Sequence, residues 1–414
     1  MPNDMSTLRH TFSNGLNLVF EPMPWLSTVS LTFVVPLGAM TDPEGQEGSA
    51  TVLVDWMHRG AGGRDSRAFS QALDHLGVRY SGGAGREYST FSASLLTEML
   101  PEALRLFADM LRVPELSSDE FESARALAQQ ERASLTDQPS QQLFEALSQR
   151  FFRSRHKRSA YGTDQGLSAL TPESVREDYS RRFGPGGAIL GVAGAVGWGA
   201  LLEWVTELFS DWRGGIPARH EVELNAPHQK HIDTDAAQTQ IGLAYPSPSA
   251  LDSDWYAYYL AIQVLSGGAG SRLWNEVRER RGLVYSVMAV VRTLRGFGYT
   301  LGYAATTEER AEETLSVVLE EIYRLKSGLT EGELRRARTG LLSQLVMQGE
   351  SSGARAAALA QDTFQMGRPR SLGEIKRAIS DVSLSDINQF LEARQQVRPT
   401  VLTLGRRPLA GGGV

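Results

Sequence analysis

The 414-residue chain contains no cysteine. That absence excludes disulfides, thiolate metal sites, iron–sulfur clusters and a cysteine nucleophile together, and it fits a cytosolic protein. No uninterrupted apolar run reaches the ~18 residues that a membrane span needs. The opening stretch MPNDMSTLRHTFSNG lacks the basic-then-apolar order of a signal peptide, so none is expected. Charge imbalance is small: 42 Lys+Arg against 48 Asp+Glu leave −6, which favours neither nucleic acid nor an anionic membrane as partner. The one dense basic run, RSRHKRS from Arg153 to Ser159, reads as a solvated loop. Histidine is sparse, 7 in all. Of these, His228 and His231 stand three apart, but in a presumed linker where a helix to align them is not expected. The tail AGGGV is expected to fray.

What is present is a chain that replays itself. The strand-like segments GLNLVFEPM (Gly15 to Met23) and TVSLTFVVP (Thr28 to Pro36) are followed by a helix, GSATVLVDWMHRGAGG (Gly48 to Gly63). A helix end leading into two strands comes next, then an amphipathic helix stopping before Pro114. Ser117 with Glu120 three residues on predicts a capping box that opens a long helix running to about Leu135. The second half repeats the order. QTQIGLAYP (Gln238 to Pro246) matches the second strand, and WYAYYLAIQVLSGGAGSR (Trp255 to Arg272) matches the helix, pairing Arg272 with Arg64. Thr330 and Glu333 rebuild the capping box, and Leu170 to Phe183 matches Val382 to Gln396, each before a short strand. Several matches in one order at offsets of 208 (272 − 64), 213 (333 − 120) and 212 (383 − 171) point to internal duplication. The period is near domain size, so the fold class expected is α+β with two similar domains. Their expected bounds are 1–212 and 232–414, joined by a linker at 213–231 rich in Gly, Pro and charge.

The order of elements and the motifs below resemble the pitrilysin/insulinase family of zinc peptidases, in its mitochondrial-processing-peptidase-like branch. The resemblance spans nearly the whole chain and implies domains that are each a mostly antiparallel sheet packed with helices. In active members the first-domain helix carries His-x-x-Glu-His. Residues i and i+4 share a helix face, so both imidazoles reach one zinc while the glutamate serves the bound water as general base. The flanking G-x-A and M-x-x-G place Thr51 and Asp55 at the histidine positions, Val54 at the base, and Glu131 at the third ligand. One ligand position of three is retained, and valine cannot accept a proton. The resemblance therefore implies no metal bound by this chain and no peptide hydrolysis by the family mechanism alone. Asp55 is expected to pair with Arg59 one turn on, and Glu131 to be a helix-surface charge.

The stretch GGAGSRLWNEVRERRGLVYSV (Gly267 to Val287) resembles the family's second-domain signature, in which an arginine and a tyrosine seven positions apart contact substrate across the zinc. Here they are Arg278 and Tyr285. A guanidinium and a phenol are donors suited to an oxyanion. The same letters also read as an amphipathic helix ending at Gly282, with Leu273, Trp274 and Val277 buried and its arginines paired with Glu276 and Glu279. Arg280 and Arg281 are assigned to surface or partner contacts. Gly267, Gly268 and Gly270 lack the spacing of a phosphate-binding fingerprint and are read as letting a peptide backbone or a second helix come close.

Within the family, some peptidases are heterodimers in which one subunit holds zinc and a degenerate one supplies the arginine–tyrosine pair. This chain resembles the second. The resemblance implies a partner bearing His-x-x-Glu-His with zinc, and peptides or unfolded proteins as substrate. A purely structural scaffold subunit with the same fold stays open as the alternative.

Overall fold

The computed structural model describes residues 7–215, 220–395 and 397–410. Gly411–Val414 of the expected frayed tail, and positions 216–219 of the expected linker, lie outside the described residues. The chain divides into two compact units. One comprises residues 1–134, 158–220 and 348–371, the other 135–157, 221–347 and 372–414.

The first unit holds a six-stranded sheet in the order Leu8–Thr11, Asn17–Pro22, Ile189–Gly194, Thr28–Val35, Ser89–Leu96, Arg79–Ala84. All neighbours are antiparallel except Asn17–Pro22 beside Ile189–Gly194. The second unit holds five strands in the order Gln229–Asp233, Thr400–Gly405, Thr239–Ser247, Phe297–Thr306, Val284–Leu294, again with one parallel pair, the first. Apart from the extra strand Leu8–Thr11, the two sheets have one topology. The duplicated α+β architecture is thus present strand for strand. Gln229–Asp233 starts inside the segment expected as linker, and in it His231 sets Nδ1 against Thr403 Oγ1 at 2.8 Å.

Each sheet is covered on both faces, and in each case one cover comes from the other half of the sequence. The front of the first sheet packs on a large core that includes Phe33, Trp56, Phe107 and Phe209. Its back carries the helix Ser352–Met366, where Ala356, Leu359, Ala360 and Phe364 meet Val19, Val34, Ile189 and Ala193. Approach is so close that a Cβ on Gly191 would lie 2.4 Å from the Ala356 carbonyl oxygen, which is why that strand position is glycine. In the second unit the helix Pro139–Phe151 plays this part, with Leu143 and Leu147 against Ala244, Leu402 and Leu404. The units are therefore interlaced in sequence rather than split at the expected boundaries, because an α+β sheet with two apolar faces needs a helix on each.

The duplication also shows in ion pairs. Arg272 bridges Glu333 through Nε and Nη2 at 2.7 and 3.0 Å. Glu120, the first-half counterpart of Glu333, is met not by Arg64 but by Arg59, at 3.1 Å; Arg64 turns to Asp109. Counting from Arg59 gives 272 − 59 = 213, the offset of the two glutamates. The expected match of Arg64 to Arg272 is thus corrected. The cap is affected too. Thr330 and Glu333 exchange both capping-box bonds, whereas Ser117 accepts only from the Asp119 amide while Glu120 faces Arg59.

Candidate functional site

The helix Ser49–Met57 begins at Gly48, held at φ 112°, and its first N–H groups are capped from a distance. Asp42, fully buried, accepts from Gly48 N at 2.8 Å and Ala50 N at 3.0 Å. Burial, offset by Arg182 and those amides, leaves its carboxyl pushed up to about 6. Ala50, Val52, Leu53, Val54, Trp56 and Met57 are buried, so the position of the family's base is a core valine only 2% exposed. Thr51 and Asp55 share the opposite, half-buried face. Neither side chain is idle. Thr51 Oγ1 donates to the Ala160 carbonyl at 2.5 Å, and Asp55 Oδ2 accepts from Arg59 Nε at 2.7 Å, the pair expected from spacing.

Glu131 lies on the helix Ser118–Ala133, which packs on this one, and is exposed. Partial desolvation and then the negative charge of Asp55 hold its carboxyl above the usual range. The fold thus brings Asp55 and Glu131 within electrostatic reach of each other, as two carboxylates rather than a carboxylate among imidazoles. His58, at the helix end, is turned inward. Its ring stacks on Tyr80 and Phe91, centroids 5.9 and 5.5 Å away, and Nδ1 lies 2.7 Å from the Val54 carbonyl oxygen. Burial pushes its imidazole pKa down. A Cβ on Gly82 would lie 2.3 Å from its Cε1, so the edge strand carries glycine where the ring sits. The basic run Arg153 to Ser159 is less solvated than expected: His156 is buried, and Arg158 pairs with Glu47.

The second candidate lies on Trp274–Arg280, which winds as a π-helical turn rather than the plain amphipathic helix read from sequence. Leu273 and Val277 are buried as expected, but Trp274 is not part of that stripe; it remains half-exposed. π winding bonds each residue five back instead of four, which moves Trp274 off the core face and over Arg278. The guanidinium lies 4.0 Å from the Trp274 ring centroid and 5.0 Å from that of Tyr285, and Nη1 donates to the Tyr285 carbonyl at 2.9 Å. Tyr285 sits where the strand Val284–Leu294 bulges, between Val284 and Ser286, and is 79% exposed. Arg278 and Tyr285, seven apart in sequence, are therefore brought together. Arg280 and Arg281 both pair with Glu276. Gly267 ends the preceding helix, its N–H on the Gln263 carbonyl at 2.6 Å, and Gly268 takes φ 125°, open to L residues only with strain.

Family models cover most of the chain. One described as insulinase, peptidase family M16, matches residues 19–164, and one described as the peptidase M16 inactive domain matches 169–341. The chain belongs to the insulinase family of peptidases. An uncharacterized zinc protease of Mycobacterium tuberculosis (strain H37Rv) is 28% identical to it over 390 residues, 92% of this chain and 89% of that protein. One from Rickettsia felis is 24% identical over 380 residues, 90% of this chain and 91% of its own. Among solved structures, a peptidase M16 inactive domain from Pseudomonas fluorescens has a TM-score of 0.87 at 20% identity, covering 98% of this chain and 99% of that one. A Helicobacter pylori protease has 0.86 at 18%, covering 97% and 100%. These last two speak for the fold alone.

An insulinase-family zinc does not fit the residues at its expected place. Thr51 offers a hydroxyl already spent on Ala160, Val54 has no donor, and Asp55 is held by Arg59. Among the described residues no group of three or more His, Cys, Asp or Glu is placed to hold a metal, and zinc in such settings favours imidazole. No described helix is long and apolar enough to cross a membrane. The further reach of Arg59 to Glu120, beyond its expected pair with Asp55, could not have been read from motif letters alone. The Asp42 cap and Trp274 were missed as well; for Trp274 the available signal was its four-residue spacing to Arg278.

Proposed function

We propose that this chain is the non-catalytic subunit of a heterodimeric zinc endopeptidase of the cytoplasm. In this reading a partner bearing His-x-x-Glu-His holds the metal and hydrolyses the bond. Arg278 and Tyr285 of this chain donate to the substrate carbonyl as negative charge develops on its oxygen. Substrates are extended peptides or unfolded proteins, whose main chain can pair with the free edge of Val284–Leu294. Gly267, Gly268 and Gly270 give a bound backbone room.

The observation that carries the reading is the state of Arg278. It uses one N–H on the Tyr285 carbonyl, and among the described residues its other N–H groups meet no acceptor, nor does the Tyr285 hydroxyl meet a partner. A chain that has a degenerate metal helix and still offers an available donor pair is what a subunit acting in trans requires. The test is co-purification from the source cell, followed by peptide cleavage with the companion subunit. Arg278→Ala is expected to lower kcat/KM by about 10²- to 10³-fold, the cost of one oxyanion donor. Unchanged kcat/KM would favour the scaffold role.

A further inference from the structure

We infer that Trp274 is a positioning residue for Arg278, an aromatic shelf that keeps the guanidinium flat beside Tyr285 and free of any carboxylate. The inference rests on the reading of Arg278 and Tyr285 as substrate contacts.

The segment Trp274–Arg280, WNEVRER, carries two glutamates and two arginines, and Arg281 follows it, so a guanidinium there would ordinarily be neutralised by its neighbours. Each acid is engaged elsewhere. Glu276 takes both Arg280, at 3.1 Å, and Arg281, at 3.0 Å. Glu279 Oε1 accepts from the Trp274 indole Nε1 at 3.1 Å. Arg278 makes no ion pair among the described residues; its charge rests on π faces instead. An aromatic face attracts a cation without occupying its in-plane N–H bonds. Those bonds, in a fixed fork, are the ones that a carbonyl or carboxylate oxygen would use.

Winding explains why tryptophan does this here. A π-helical turn brings residues four and five apart onto one face, and Trp274 touches both Arg278 (i+4) and Glu279 (i+5). The indole is thereby oriented at its nitrogen by one residue while its ring supports the other. The free rotamers of an arginine are many; this arrangement selects one before substrate arrives, which is where preorganised donors gain their advantage.

The experiment compares Trp274→Leu and Trp274→Phe with the unaltered full-length chain. The side-chain ¹⁵N–¹H signal of Arg278, assigned by its loss in Arg278→Lys, reports the ring current without any partner. It is expected to move in Trp274→Leu and to return towards its original place in Trp274→Phe. In the complex with the companion subunit, cleavage of a quenched fluorescent peptide is expected to lose about 3- to 30-fold in kcat in Trp274→Leu, with KM little changed and the phenylalanine variant close to the original. An unmoved Arg278 signal overturns the inference. So does full activity of Trp274→Leu where Arg278→Ala is impaired. If Arg278→Ala is itself fully active, the substrate-contact reading falls, and the ring-current shift alone decides whether Trp274 orients Arg278. Equal melting temperatures of the variants separate positioning from loss of fold.

Discussion

Arg355 and Glu21, 334 positions apart in sequence, form a buried two-bond ion pair, Nε to Oε1 at 2.9 Å and Nη2 to Oε2 at 2.6 Å. Their side chains are 3% and 9% exposed. The pair pins the helix Ser352–Met366 to the second strand of the first sheet, and Ser352 Oγ adds a contact to Ser30 Oγ at 2.9 Å. Removing one partner leaves the other charged and unpaired in the interior. Arg355→Ala is expected to cost about 3–5 kcal/mol, whereas Glu21→Leu with Arg355→Met costs less than either single change, since buried ion pairs gain little over apolar packing. Urea unfolding midpoints of Arg355→Ala, Glu21→Leu, Arg355→Met and the double variant check both statements. A double variant weaker than Arg355→Ala would contradict them.

The interlaced helices make each half of the sequence dependent on the other. A fragment of residues 1–220 lacks the helix that covers Val19, Val34, Ile189 and Ala193, and a fragment of 221–414 lacks the cover of Ala244, Leu402 and Leu404. Apolar sheet faces left open drive aggregation. Each fragment expressed alone is expected in the insoluble fraction, and their co-expression is expected to return soluble, paired material. Either fragment behaving as a stable soluble monomer by itself would remove this dependence.

Acid stability follows from Glu333. Its bonds from Arg272 and, after them, from the Thr330 amide and hydroxyl hold the carboxyl down to about 2. A carboxylate whose pKa falls on folding lends stability that is complete above its ordinary value, near 4.5, and is lost as pH drops towards 2. Glu333→Gln is expected to lower stability at pH 7 by about 1.5–3 kcal/mol, the worth of hydrogen bonds to a charged group. It is also expected to flatten the stability profile between pH 2 and 4.5. Thermal melts across that range report the slope; identical slopes in both proteins would be the contrary result.

Metal content tests the degenerate helix directly. With Asp55 held by Arg59 and no imidazole at position 51 or 55, the purified chain is expected to carry substoichiometric zinc. Chelator treatment is expected to leave Tm and any residual peptide cleavage unchanged. Stoichiometric zinc accompanied by chelator-sensitive cleavage would show the placement of Thr51, Val54 and Asp55 to be mistaken.

Much of this molecule was readable as letters because the signals involved are local. The duplicated order of strands and helices, the Thr330 cap and the Asp55–Arg59 pair all depend on residues within a few positions of one another. The missing imidazoles are legible in the same way, since a side chain that is absent stays absent in any fold. Trp274 was harder: its letter suits a buried stripe, and only the π winding that carries it over Arg278 shows otherwise.

By itself, then, the sequence determined the α+β duplication, the absence of imidazole at positions 51 and 55 and the presence of an arginine–tyrosine pair. Tertiary structure alone decided that Ser352–Met366 and Pro139–Phe151 each cover the sheet of the opposite half, that Glu120 belongs to Arg59, and that Arg355 meets Glu21. The physical reason is range. Periodicity and capping are settled by neighbours along the chain. Which apolar face receives which helix, and which buried charge finds its counter-ion, is settled by packing between segments hundreds of residues apart, where desolvation permits few alternatives.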